Sequence, residues 1–236
     1  MTSARFFLSS VNDDVLEIRG GDAVHAVRVL RISPGETITI SDGAGAVATA
    51  RVIAAGTALR AQVLDRAAVP QPRPRITVYQ ALTKQGRLDD VVNVLTQIGV
   101  DAIVPVRAQR SVPRWDERKA AAQTQRLRSI AREAAMQSRR AWLPRIGEVA
   151  GVDAIPGGAI VLHEEATARL RDLLPAQAPE ELALAAGPEG GFDPDEIAAL
   201  EGRGCDVATL GPLVLRTELA ATAGVIAVRT LYGLLA

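Results

Sequence analysis

Arg216 and Glu218 stand two residues apart in Leu210-Gly211-Pro212-Leu213-Val214-Leu215-Arg216-Thr217-Glu218, and they are the charged pair in this chain best suited to chemistry. A guanidinium stays protonated at any working pH, so Arg216 can stabilise developing negative charge but cannot act as a base. A carboxylate such as Glu218 can accept a proton. The apolar residues before Arg216 set it beside an interior strand, at a glycine-containing turn. A structural ion pair to Glu189 or Glu218 accounts for the same residues without any chemistry.

Two turns must position this pair. Gly187-Pro188-Glu189-Gly190-Gly191-Phe192 follows the apolar run Leu182 to Ala186 and precedes Asp193-Pro194-Asp195-Glu196-Ile197. Asp193 reads as an N-cap, Pro194 as the first helical residue, and Glu196 as the third position of a capping box. A strand therefore ends in a glycine turn that opens a helix, where glycine lets a backbone come close to a ligand. The segment around Gly211 repeats the plan after Val207 to Leu210. Turns of this kind at the carboxyl ends of strands are where α/β sheets bind small molecules. The spacing matches neither GxGxxG nor a phosphate-binding loop with its Lys-Ser/Thr, so dinucleotides and nucleoside triphosphates fit poorly.

A third feature is basic. On a helix through residues 116–141, Ile130, Ala131 and Ala134 fall within about 60° of Leu127, while Arg128, Arg132 and Arg139 gather at about 100–140° from it. Arginines on one narrow stripe repel each other unless an anion meets them. Only Glu133 lies nearby on that helix, which favours contact with a polyanion backbone over local pairing. Arg107, Arg110 and Arg114 extend the basic stretch. His163 ends a strand before Glu164-Glu165. No HExxH occurs and the other histidine, His25, is remote, so no metal site is expected. The single cysteine, Cys205, excludes an internal disulfide and reads as a core filler.

The chain has 236 residues, 48% of them apolar, and no net charge. That neutrality hides an asymmetry: residues 73–150 carry 15 basic and 7 acidic side chains, and 151–236 carry 5 and 13. A cationic middle suits a polyanion. No run approaches the length of a membrane span and no signal peptide is evident, so the chain reads as cytosolic. Residues 1–70 form a β-rich module, with Asp42-Gly43 turning a hairpin between Thr37–Ile40 and Ala46–Ile53. His25 to Leu30 fits a short helix. Pro70-Gln71-Pro72-Arg73-Pro74 breaks regular structure and marks a boundary. From residue 75 strands alternate with helices, ending in a helix over 218–235, which means an α/β fold with a mainly parallel sheet.

Taken together, these segments resemble the ribosomal RNA small subunit methyltransferase E family of the knotted SPOUT methyltransferases. The resemblance spans nearly the whole chain. Besides both turns it includes Arg5-Phe6-Phe7, His25 with Val29-Leu30-Arg31, Lys84, Gly99-Val100, Arg110-Ser111, and Glu133 through Ser138 with Arg140 and Pro144. It implies a PUA-like RNA-binding domain over residues 1–70 and a trefoil-knotted domain over 75–236. It also implies methylation of N3 of a uridine in 16S rRNA, with the small ribosomal subunit or its RNA as partner. S-adenosylmethionine would be held by Leu162, His163, Gly187, Pro188, Glu189, Gly190, Leu210, Gly211, Leu215 and Arg216. Arg5, Arg28, Arg31, Arg110, Arg128, Arg132 and Arg139 would meet RNA. The family pairs as a homodimer through helices including the last, and Thr222 to Ala227, small and apolar, would permit this. Uracil must lose its imino proton, so Arg216 would stabilise the ring anion, with Glu218 or water as base.

The chain departs from the family at Val94, Gln97, Leu213 and Leu219, where lysine, glutamate, arginine and threonine are common. Rival readings are a methyltransferase of the same fold acting on another rRNA or tRNA nucleotide, and a non-catalytic RNA-binding assembly protein.

Overall fold

The computed structural model describes residues 4–84 and 87–235, and the chain divides into two compact units. The first takes in the chain up to Gln71 together with residues 135–143; the second takes in residues 72–134 and 144–236.

In the first unit, alternation buries Ile38 and Ile40 on one face of β3 (Thr37–Ser41). The Asp42 carboxylate accepts from the amides of Ala44 and Ala46 at 2.7 and 3.0 Å, which turns the chain into β4 (Ala46–Ala55). β4 pairs antiparallel with β5 (Leu59–Ala68). Two strands too short to show periodicity complete the sheet: β1 (Arg5–Phe7), parallel to β3, and β2 (Val15–Ile18), antiparallel to β5. The order is β1-β3-β4-β5-β2. The expected helix at His25 continues α1 (Gly20–Val24) as a π-helical turn over His25–Val29, and Arg31 follows in the left-handed region at φ 55°. Residues 135–143 join this unit through side chains. Ser41 Oγ donates to Ala141 O at 2.7 Å, and Trp142 Nε1 donates to Val69 O at 2.9 Å.

The second unit holds a parallel sheet ordered β12-β10-β11-β6-β7-β8, with β9 also beside β7. Its strands are β6 (Arg75–Ala81), β7 (Ala102–Arg107), β8 (Arg145–Ile146), β9 (Ala150–Gly151), β10 (Ile160–Leu162), β11 (Glu181–Ala186) and β12 (Asp206–Ala208). The helices are α2 (Arg87–Gln97), α3 (Glu117–Gln137), α4 (Leu170–Leu173), α5 (Pro194–Gly202) and α6 (Thr217–Leu231). Its core runs through Ile76, Val78, Leu95, Ile103, Leu127, Leu184 and Val225.

Two helix ends depart from expectation. α3 buries Ala120, Thr124, Leu127, Ala131 and Ala134 as the stripe requires, but it stops at Gln137 and not at 141. Arg139 is left-handed at φ 56°, and the Arg140 amide returns to Ala135 O at 2.9 Å, which closes the helix. Arg139 therefore leaves the stripe shared by Arg128 and Arg132. α6 ends at Leu231, four residues early, where Gly233 at φ 68° lets the Leu234 amide reach back to Arg229 O.

Gly224 explains the small residues of α6. A Cβ there would lie 2.9 Å from Leu162 Cδ1, so the glycine seats the helix on β10. Near the helix end, buried Arg229 donates to Gly99 O at 3.0 Å; burial lowers its pKa, against an upward pull from Asp101.

Candidate cofactor cleft and catalytic residues

The carboxyl ends of β10, β11 and β12 and the start of α6 surround a cleft in the second unit. The turn after β11 is built as its residues demand. A Cβ on Gly187 would stand 3.0 Å from Phe192 N, because buried Phe192 folds back over the turn. Gly191 is left-handed at φ 69°, and its amide reaches Pro188 O at 2.9 Å. The capping box is complete: Asp193 accepts from Asp195 N, and Glu196 accepts from Asp193 N at 2.9 Å. The second oxygen of Glu196 accepts from Gln109 N at 2.7 Å, which ties α5 to the end of β7. Gly190 has room for a side chain, since a Cβ there would meet only the Arg110 stem at 3.5 Å.

The second turn rests on a residue that its sequence pattern did not single out. Thr209 Oγ1 donates to Gly211 O at 3.0 Å and accepts from Gly211 N at 3.2 Å, with Gly211 at φ 134°. At β10, His163 N donates to Ala208 O, and His163 Nδ1 accepts from Glu165 N at 3.2 Å. One imidazole nitrogen is thus spent on the loop itself.

Two adjoining hollows form the cleft. One is lined by Leu162, His163, Glu164, Thr209, Leu210, Leu213, Leu215 and Ala220. The other is lined by Arg87, Leu162, Glu164, Gly187, Pro188, Glu189, Gly191, Val214, Leu215, Arg216, Thr217 and Ala220. Of the expected cofactor residues, Leu162, His163, Gly187, Pro188, Glu189, Leu210, Leu215 and Arg216 come together here. Gly190 lines a neighbouring hollow beside Arg110, and Gly211 another beside Arg169.

Arg216 is exposed, and among the described residues its guanidinium has no ion pair or hydrogen bond. The structural pairing weighed for it belongs to a different cation. Arg87 Nη1 lies 3.9 Å from Glu189 Oε1 and 3.7 Å from Glu218 Oε2, and Lys84 N donates to Glu189 at 2.9 Å. Glu218 Oε2 is buried and accepts no hydrogen bond, and Glu218 is not among the residues lining the cleft. That position suits a charge held against Arg87 better than a base reaching a substrate.

The arginines expected to meet RNA divide into engaged and open ones. Arg110 pairs with Asp193 at 3.1 Å and donates to Gly190 O at 3.0 Å, so it fastens the glycine turn. Arg128 pairs with Glu148 at 2.6 Å, an acid 20 residues on that the helix pattern could not reveal. Arg132 is half-buried. Arg5 donates to Thr39 Oγ1 and to Arg139 O at 2.8 Å; burial, then the Arg139 charge, hold its pKa below the ordinary value. Arg28, Arg31 and Arg139, all in the first unit, are exposed.

A family model described as an RNA methyltransferase domain matches residues 70–231, and one described as an RNA methyltransferase PUA domain matches residues 18–63. The ribosomal RNA small subunit methyltransferase E of Mycobacterium bovis is 40% identical, across 98% of this chain and 93% of that protein. The chain belongs to the ribosomal RNA small subunit methyltransferase E family. The crystal structure of the Neisseria gonorrhoeae member bound to S-adenosyl methionine superposes with a TM-score of 0.88 at 27% identity, covering 98% of each chain. A Legionella pneumophila methyltransferase in complex with the same cofactor gives 0.88, 27% and 98% of each chain. The α/β fold, its parallel sheet and the PUA-like first unit are those of this family. No described helix is long and apolar enough to cross a membrane.

Proposed function

We propose that this protein transfers a methyl group from S-adenosylmethionine to N3 of a uridine in 16S ribosomal RNA, in the cytoplasm and as a homodimer. The observation that carries the reading is the cleft itself, in a chain 40% identical to a ribosomal RNA small subunit methyltransferase over 98% of its length. An open guanidinium, Arg216, stands at its edge beside two glycine turns.

The cleft fits the cofactor. Leu162, Leu210, Leu215 and Ala220 offer an apolar slot for the adenine ring, and Glu164 and Glu189 suit a cation. When bound, the cofactor supplies an electrophilic methyl on a positively charged sulfur. Gly187 and Gly191 shape the turn, and Thr217 fixes it by donating to Gly187 O at 2.5 Å.

Arg216 then meets the uracil ring. Once the imino proton leaves N3, negative charge spreads onto the ring carbonyl oxygens, and an exposed planar guanidinium is the donor suited to stabilise it. The proton goes to water; Glu218, committed to Arg87, supports that arginine. RNA contact falls first to Arg28, Arg31 and Arg139, whose charges are open, while Arg110 and Arg128 serve mainly as internal ties.

The homodimer reading rests on an apolar surface in the second unit. Leu213 and Val214 are 77% and 78% exposed, and Leu219 and Ile226 sit seven residues apart on the open face of α6. Such a patch marks an interface. Leu213 and Leu219 are family departures that make this surface more apolar. Val94 and Gln97 are exposed on α2, so losing a lysine–glutamate pair there costs little.

The test is mass spectrometry of small-subunit rRNA from cells lacking the gene and from complemented cells. The expected result is loss and return of one N3-methyluridine. Unchanged 16S rRNA with a methyl lost from tRNA or from another base would overturn the assignment.

A further inference from the structure

Glu164 follows β10 by two residues and lines both adjoining hollows as well as the two flanking ones, so it stands where they meet. One of its carboxylate oxygens lies 3.9 Å from where a Cβ on Gly191 would stand, which places the charge over the glycine turn.

The acids of the glycine turn and of α6 are already occupied. Glu189 takes the Lys84 amide and faces Arg87; Glu218 faces the same arginine; Asp193 pairs with Arg110. His163 Nδ1 serves the amide of Glu165. Glu165 lines the hollow on the Arg110 side and neither hollow of the cleft. Among the described residues the Glu164 carboxylate has neither an ion pair nor a hydrogen bond. A lone anion in a cleft is a site for a cation.

We infer that Glu164 is a binding residue that supplies the counter-charge to the sulfonium of S-adenosylmethionine, and so separates donor from product. The inference rests on the proposed function. Methyl transfer converts the sulfonium to a neutral thioether: a bond forms from the deprotonated N3 to the methyl carbon, the carbon–sulfur bond breaks, and its electron pair stays on sulfur. A carboxylate facing the sulfur therefore attracts the donor and is indifferent at that atom to S-adenosylhomocysteine. The amino and carboxyl groups of the two ligands are the same, so only the sulfur distinguishes them. Exposure of Glu164 weakens the attraction by solvent screening, which limits the effect to about tenfold or less.

Calorimetric titration of wild-type and Glu164→Gln protein with each ligand tests this. Glutamine keeps the shape and removes the charge, and circular dichroism checks that the variant is folded. The expected result is donor affinity lowered about five- to tenfold with product affinity changed less than twofold. Raising salt should shrink the wild-type preference for donor over product and leave that of the variant unmoved. Equal losses for both ligands would overturn the inference by making Glu164 a contact to a group they share. Unchanged affinity for both would place it away from the ligand. Wild-type protein that binds neither ligand would overturn the proposed function itself, a result distinct from the other two.

Discussion

The hydroxyl of Thr217 donates to the carbonyl of Gly187 at 2.5 Å and accepts from Gln80 Nε2 at 3.2 Å. One buried side chain thereby joins the first residue of α6, the turn after β11 and the end of β6. The sheet makes this meeting possible, since β6 lies beside β11 and α6 packs across both.

Thr217→Val removes the hydroxyl at nearly constant volume, takes the donor from Gly187 O and leaves Gln80 Nε2 with Ala81 O alone. A cost of about 1–3 kcal/mol is expected, read as a lower melting temperature by calorimetry, with weaker cofactor binding in the same protein. Thr217→Ser should recover most of both. Valine and serine variants that melt together would show that the hydroxyl contributes nothing.

The glycines of the first turn should separate. Gly191→Ala must hold a residue with a Cβ at φ 69°, at a cost of about 1–2 kcal/mol. Gly190→Ala meets only the Arg110 stem at ordinary contact distance and should melt near wild type. Larger side chains at 190 press on Arg110 first, so Gly190→Val should disturb its pairing with Asp193 before it reaches the ligand.

Arg216→Lys keeps the charge but loses the planar fork. If Arg216 stabilises the uracil anion, RNA and cofactor should bind nearly as in wild type, and single-turnover methylation at saturating enzyme should slow by about 10²–10³. A near-normal rate in that experiment would falsify the catalytic role, since binding defects drop out of it.

Salt dependence separates open arginines from engaged ones. Replacing Arg28 and Arg31 with alanine should flatten the slope of log affinity against log salt by up to about 0.7–0.9 for each phosphate that is no longer neutralised. Arg128→Ala, whose partner is Glu148, should leave the slope almost unchanged. The reverse pattern would lay the RNA along α3.

The parts of this protein legible in its sequence are those set by neighbours within a turn or two. The capping box of Asp193 and Glu196, the Asp42 hairpin and the alternation of strand and helix all depend on bonds between residues a few positions apart. β1 and β2 escaped because three or four side chains carry no period, whereas β10 and β12, equally short, showed as apolar runs before a turn. The left-handed step at Arg139 escaped because helical angles carry a pattern past the point where the helix ends.

What tertiary structure alone decided is which charge meets which. Lys84 and Arg87 reach Glu189 across more than a hundred residues because β6 and β11 are parallel neighbours, and Arg87 thereby takes both acids that sequence offered to Arg216. Arg110 reaches Gly190 O, and Arg128 reaches Glu148, by the same rule. Ion pairs form between side chains that the sheet order brings within a few ångströms, and that order is not written in any local spacing. Among the described residues it left Arg216 and Glu164 without partners, and those two open charges are where the chemistry of the cleft is assigned.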